Sequence, residues 1–245
     1  MSTPLARRAL AELIGTAFLV AAVIGSGIAA SRLSPNDVGL QLLENAAATA
    51  GALIGLILML GAVSGAHFNP VVTLAERLLH GGTGASRGAV EIAGYVAAQC
   101  AGGVAGAVLA DAMFDVAVSI STTRRSGTGL LLGEVVATAG VVVAIFALAR
   151  AGRAALTPLV VAAWIGAAYW FTSSTSFANP AVTVGRMFSD TFAGIAPSSV
   201  PPFVLAQLAG ALAGIAALAA FYPTRTPPVL GQPAAERLDP ATGTH

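Results

Sequence analysis

The residues of this chain whose types could do chemistry gather around two short segments, "HFNPVVTLAERL" from His67 and "FANPAVTVGRMF" from Phe177. Ser64, His67 and Ser176 suggest a serine hydrolase at first reading. Yet Ser64 and His67 stand close together on a non-helical stretch, and no general base or pair of oxyanion donors is arranged by spacing, so no residue qualifies as catalytic. Three histidines and one cysteine form no group with metal-ligand spacing, so neither a metal nor a cofactor is expected. What remains is hydrogen bonding without covalent chemistry. The Asn69 and Asn179 side-chain amides supply donors, and the carbonyls of His67 and Phe68, or of Phe177 and Ala178, supply acceptors for a polar, uncharged guest. Pro70 and Pro180 are counted with these groups as contacting the guest at the midplane; they also suit the first turn of a helix, where the missing N–H has no intrahelical partner, and asparagine suits the cap before it.

The elements that present these groups must lie in a bilayer. Of the 245 residues, 56% are hydrophobic and 9% charged, against about 25% charged in a typical soluble domain, and the mean hydropathy is +0.81. Crossing roughly 30 Å of hydrocarbon takes about twenty apolar residues. Six runs qualify: Ala9 to Ala30, Leu40 to Ala62, Ala89 to Ala110, Leu130 to Ala149, Leu156 to Phe171, and Pro202 to Phe221. The first outlasts a signal peptide's apolar core and keeps Glu12 inside it, so it is read as a span. Every basic residue is an arginine. With both termini cytoplasmic, Arg7, Arg8, Arg77, Arg87, Arg150, Arg153, Arg225 and Arg237 fall inside and Arg32, Arg124, Arg125 and Arg186 outside, which fits an even number of spans. The net charge of +1 carries no sign of a nucleic-acid partner. The lone Cys100 supports no internal disulfide and reads as a small buried hydrophobe.

The chain also repeats itself. Asn69 answers Asn179, "AQCAGGVAG" from Ala98 answers "AQLAGALAG" from Ala206, and Glu12 with Thr16 recurs as Glu134 with Thr138. Each half holds three spans, an odd number, so the second half enters the membrane in the opposite sense and the repeats are inverted. The stretches after the Asn-Pro pairs, Val71 to Leu79 and Ala181 to Phe188, are about half a span long. Non-helical backbone at membrane depth is tolerated only inside protein or against water, so each stretch reads as a re-entrant half-helix beginning at the midplane. The expected fold class is an all-α membrane protein with six transmembrane helices, two re-entrant half-helices and inverted three-helix repeats. Two half-helix N-termini facing each other place roughly half a positive charge each at one point of a path, which repels cations and protons and admits neutral solutes. Gly102 with Gly106, and Gly210 with Gly214, permit close helix approach; Gln99 and Gln207 are expected to bond within the bundle.

Together, the paired "NPVVT" and "NPAVT" and the two span-opening glutamates resemble the aquaporin and aquaglyceroporin superfamily of membrane channels over about residues 9 to 221. Val71 departs from that family's usual alanine. The resemblance implies a homotetramer with one pore per protomer and passive flow of small neutral solutes. A carboxyl in a span costs roughly 2.5 to 3.5 kcal/mol, so Glu12 and Glu134 should have a task. The resemblance puts them behind the pore, accepting from the backbone of the neighbouring lead-in loop. In water-selective members an arginine follows the second Asn-Pro-Ala; here it is Val182, and by the family's spacing the other filter positions are Thr49, Ala167 and Ser176. None of the four is large, aromatic or charged, so the implied cargo is larger than water: glycerol, urea, or metalloid acids such as arsenous acid, with water passing too. The stretch "AYWFTSSTSFANPAVT" looks like bacterial members linked to arsenicals.

Arg186 follows Val182 by one helical turn and lies about 6 Å nearer the outside, a displaced arginine at the external mouth with Glu76 as its internal counterpart. Snorkelling or local pairing, Arg186 with Asp190, is the other reading. Arg124 and Arg125, in the external loop from Asp111 to Gly129, read as solvated charges rather than vestibule residues. The domain reading is a channel over residues 1–221, with repeats at about 5–110 and 127–221, and a disordered cytoplasmic tail over 222–245. The expected place is the plasma membrane of a bacterium, multi-pass. A water-selective pore is the near alternative; a proton- or sodium-coupled transporter is the distant one, and the two glutamates are its only deep coupling candidates.

Overall fold

The structure, a computed structural model, describes residues 4–80 and 88–222. Arg87, Arg225, Arg237 and all of the tail beyond Tyr222 lie outside those residues. The described chain is helical: α1 (Leu5–Leu33), α2 (Val38–Ser64), α3 (Pro70–His80), α4 (Ala89–Met113), α5 (Thr128–Arg150), α6 (Thr157–Phe171), α7 (Pro180–Gly185) and α8 (Val200–Phe221). Six are long and apolar enough to cross a membrane, α6 only with the 3-10 turn at Ala154–Leu156 that precedes it. The spans overrun the apolar runs at their ends because helix hydrogen bonding continues into interfacial residues. Asp37, for example, starts α2 ahead of its apolar run by accepting from the Leu40 N–H at 2.9 Å. The two short helices, α3 and α7 with its 3-10 extension Arg186–Phe188, are the half-helices. Six crossings return the chain to the end where it began; we call that the terminal end and the opposite one the far end.

The outward faces carry Leu10, Phe18, Leu58, Met59, Leu159, Leu205 and Leu212 exposed, the arrangement a lipid solvent rewards. Inside, α1 packs on α2 and α4, and α5 packs on α6 and α8, the same plan in each repeat. Small residues make it possible. A Cβ on Gly102 or Gly106 of α4 would land on the Leu13 or Ala17 carbonyl of α1. One on Gly210 or Gly214 of α8 would land 2.5 Å from the Val135 carbonyl or 2.7 Å from the Ala139 carbonyl of α5. The half-helices cross between repeats: α3 docks on α8 as well as α4, and α7 on α4 as well as α8. Gly185 and Gly103 meet at that second contact, where a Cβ on Gly185 would sit 2.5 Å from the Gly103 carbonyl. Cys100, on α4, is half-buried rather than enclosed.

Candidate functional site: a cavity through two Asn-Pro junctions

The half-helices start at the same place from opposite directions. The Asn69 Oδ1 accepts from the Val71 N–H at 3.1 Å, and the Asn179 Oδ1 from the Ala181 and Val182 N–H groups at 2.9 and 3.3 Å, so each asparagine caps its own helix. Each amide then reaches across. Asn69 Nδ2 donates to the Ala178 carbonyl at 2.8 Å and Asn179 Nδ2 to the Phe68 carbonyl at 2.7 Å. These reciprocal bonds lock the junctions together, and they occupy one lone pair of each carbonyl and one hydrogen of each amide.

The backbone leading in is strained. Ala66 and Phe68 have φ of 50° and 49°, and Ser176 and Ala178 have 53° and 49°, left-handed conformations without glycine. Each costs of order 1–3 kcal/mol and persists only where its surroundings impose it. The two buried glutamates impose it. Glu12 accepts from the His67 N–H at 3.0 Å, the Phe68 N–H at 2.7 Å and Ser64 Oγ at 2.6 Å, and Glu134 accepts from the Phe177 and Ala178 N–H groups, both at 2.9 Å. Gln99 Nε2 joins Glu12 to Thr73 Oγ1 at 2.7 and 3.0 Å, and Gln207 Nε2 joins Glu134 to Thr183 Oγ1 at 2.6 and 2.8 Å. Ser64 and Ser174 stand at equivalent places, their hydroxyls accepting from the Ala66 and Ser176 N–H groups at 3.0 and 3.2 Å. The carboxylates are thus spent on positioning backbone; neither lines the path.

One cavity of about 650 Å³ runs past these junctions from the terminal end, at His80 and Ala155, to Arg186 near the far end. Leu53, Ile57, Val141, Ile145 and Ile165 make much of its wall, and Asn69, Asn179, His67 and Phe68 contribute the polar column. Phe177, Ala178, Thr49, Ser176, Val182 and Glu76 line it as well. Such a path has one wet and one oily side.

Three readings change, and one of the two readings of Arg186 falls away. Ala167 is exposed on the outer face of α6 and takes no part in the cavity. The inward face is Ile165 and Tyr169, four apart, and Tyr169 brings its hydroxyl to 3.1 Å from Thr49 Oγ1. Counting back from Asn179 treats the loop after Phe171 as if it advanced like the helix, whereas the helical face sets which side chain points inward. Pro70 and Pro180 are buried at the first position of each half-helix and outside the lining; their part is to fix the helix start. Arg186 neither snorkels nor meets Asp190. It is 3% exposed, lines the cavity, donates through Nε to the Ala193 carbonyl and stacks 3.4 Å from the Phe177 ring centroid. Asp190 instead accepts from the Thr122 N–H at 2.8 Å. Arg125, finally, is not a solvated charge: it lies 5.1 Å from the same ring and donates to the Gly194 and Phe192 carbonyls at 2.9 and 3.2 Å. Burial pulls its pKa below the ordinary arginine value. Arg124 is exposed.

The positions that sequence reasoning passes over are therefore Tyr169, Ser174, Thr73 and Thr183, and it weighs Ser64 only as a nucleophile. Extending the repeat alignment by a few residues on either side of the Asn-Pro pairs pairs Ser64 with Ser174 and Thr73 with Thr183. A helical-face count from Ile165 finds Tyr169.

Comparison with known proteins points one way. The family model described as "Major intrinsic protein" matches residues 1–178. The chain is 47% identical over 213 residues to the aquaglyceroporin AqpS of Rhizobium meliloti, covering 86% of this chain and 88% of that one. It is 31% identical over 240 residues to the probable aquaporin AqpM of Archaeoglobus fulgidus, covering 87% and 96%. The crystal structure of the aquaglyceroporin from Plasmodium falciparum superimposes with a TM-score of 0.62 at 17% identity, covering 87% of this chain and 93% of that one, a likeness of fold.

Proposed function

Since this chain belongs to the major intrinsic protein family and is a multi-pass membrane channel for small solutes rather than an enzyme, we propose that it passes small uncharged molecules larger than water. Glycerol, urea and undissociated metalloid acids such as arsenous acid are the cargo class, with water passing alongside. The observation that carries this reading is the two-sided cavity. Its apolar wall costs little to a solute's carbon edge, while the free hydrogens of the Asn69 and Asn179 amides, the Ser176 hydroxyl and the lead-in carbonyls face the solute's polar edge. Cations meet the N-terminal ends of two helices at the junction, and among the described residues no carboxylate lines the path between Glu76 and the far mouth. The deep candidates for sodium or proton coupling, Glu12 and Glu134, are bonded to backbone instead.

A water-selective pore is the second reading, favoured by Tyr169 and Arg186, which put an aromatic ring and a guanidinium at the far mouth. Stopped-flow light scattering on proteoliposomes with parallel gradients of water-drawing sucrose, glycerol, urea and arsenous acid separates the two. Protein-dependent glycerol or urea entry supports the first; water flux with neither solute supports the second.

We further propose a homotetramer with one pore per protomer in a bacterial plasma membrane, the terminal end cytoplasmic. In that orientation three of the four basic residues of the far end are engaged, Arg32 by the Phe114 carbonyl and ring and Arg125 and Arg186 at the mouth, which leaves Arg124 exposed and accords with the positive-inside rule. Residues 1–221 are proposed as the channel unit, repeats at about 5–110 and 127–221, and residues 222–245 as a cytoplasmic tail.

A further inference from the structure

Two polar groups at the far end of the cavity have no partner that accounts for them. Ser176 is 3% exposed and its hydroxyl has no hydrogen-bond partner among the described residues, although it lines the cavity. Arg186 is equally buried and lines the same end, and no carboxylate lies within ion-pairing distance of it among the described residues. Its direct contacts among the described residues are the Phe177 ring face and, through Nε, the Ala193 carbonyl, while Glu134 and Tyr169 act on it through space without a hydrogen bond. Arg125 holds the carbonyls on either side of Ala193, so the guanidinium is fixed in place. A buried cation without a carboxylate in contact, beside an unbonded hydroxyl, leaves part of the desolvation uncompensated, which a ligand oxygen would relieve.

We propose that Arg186 and Ser176 form a subsite for an oxygen-rich group, and that compact oxyanions entering from the far end dock there and hold up flux without passing. This rests on the far mouth being part of the conducting path, as the proposed function requires. Arg186 offers charge-assisted donors to a planar oxyanion and Ser176 a further hydroxyl donor. Beyond them the wall is Val182, Leu53 and Ile165, which repay nothing to an anion stripped of water. The opposite mouth carries the reverse charge, Glu76, with His67 Nε2 3.6 Å from its carboxylate. Block is therefore sided: anions reach the subsite from the far end and are turned away at the terminal one.

The test uses the whole chain in sealed vesicles of known orientation, with nitrate as probe and equal chloride as control, reading water and glycerol flux together. Nitrate on the far side should lower flux saturably and nitrate on the terminal side should not. Each variant is compared with its own unblocked flux. Arg186→Gln should remove the block, Arg186→Lys should retain part of it, and Ser176→Ala should raise the blocking concentration by roughly 2- to 10-fold, the worth of one hydrogen bond. Should Arg186→Gln fail to assemble, the lysine and alanine variants carry the test alone. Equal effects of nitrate and chloride, or block from either side, would overturn the subsite. If glycerol does not pass but nitrate still slows water from the far side, the cargo reading fails and the subsite stands.

Discussion

The two halves of this channel share a frame and differ at their mouths. In the frame, Glu12, Ser64, Thr73 and Gln99 of one half take the places that Glu134, Ser174, Thr183 and Gln207 take in the other around the lead-in backbone. At the mouths, His67 faces Glu76 at 3.6 Å, whereas at the matching positions Phe177 faces Arg186 at 3.4 Å. In both, a ring on the lead-in loop meets a charged side chain nine residues on, and the sign of the charge is reversed. Backbone geometry tolerates little change because five left-handed residues other than glycine, Thr175 among them, depend on it. Ring and charge differ between the halves while that backbone stays the same, so it is there that solute choice can be set without disturbing the fold.

The comparison breaks most visibly at the glutamates. Glu134→Ala leaves the Phe177 and Ala178 N–H groups and Gln207 without their acceptor, at about 1–3 kcal/mol each, and releases the strained loop. Glu12→Ala does the same to the other half. Both should abolish flux and cut the yield of monodisperse protein alike, with glutamine at either site restoring part of each. A chain that tolerates one loss and not the other would show that the frames are not equivalent.

Val182→Arg should be milder. A second guanidinium beside Arg186 narrows the far mouth and should lower glycerol-sized flux about tenfold, a barrier rise near 1.4 kcal/mol, while sparing water. Unchanged solute uptake would remove Val182 from the selecting region. Smaller again, Tyr169→Ala should raise the flux of the larger solutes several-fold by opening the wall opposite Val182. Ala167→Phe, on the outer face, should leave stopped-flow rates as they are. If the two substitutions trade effects, the inward face of α6 has been misassigned.

The smallest effect is at the far loop. Asp190, exposed, has its pKa lowered from the ordinary 3.8, chiefly by the Thr122 N–H. Its hold on the loop is therefore present above the ordinary value and is lost as pH falls through the lowered one. Amide exchange of residues 189–196 should rise below about pH 4, and Asp190→Asn should show that faster exchange already at neutral pH.

Much of the architecture could be read from the chain because it was written in features with long reach: apolar runs of span length, a repeated motif and the parity of three spans. Asn69 and Asn179 mark the half-helix starts by residue type alone. The lateral details could not be read the same way. Ala167 and Tyr169 differ by only two residues, yet two residues turn a helix by about 200°, from lipid to cavity. The left-handed turns at Ala66, Phe68, Ser176 and Ala178 leave no mark, since alanine, phenylalanine and serine replace the glycine that would signal them. Arg125 and Arg186 are far apart in sequence, and only the folded loop brings both to Phe177.

The central claim, a path wide enough for a polyol through the Asn69–Asn179 junction, is tested most directly by the reflection coefficient of glycerol across vesicles containing the chain, measured against sucrose. The expected value is well below one and returns to one when Glu134→Ala collapses the junction. A coefficient of one in the native chain, with rapid water flux, would contradict it.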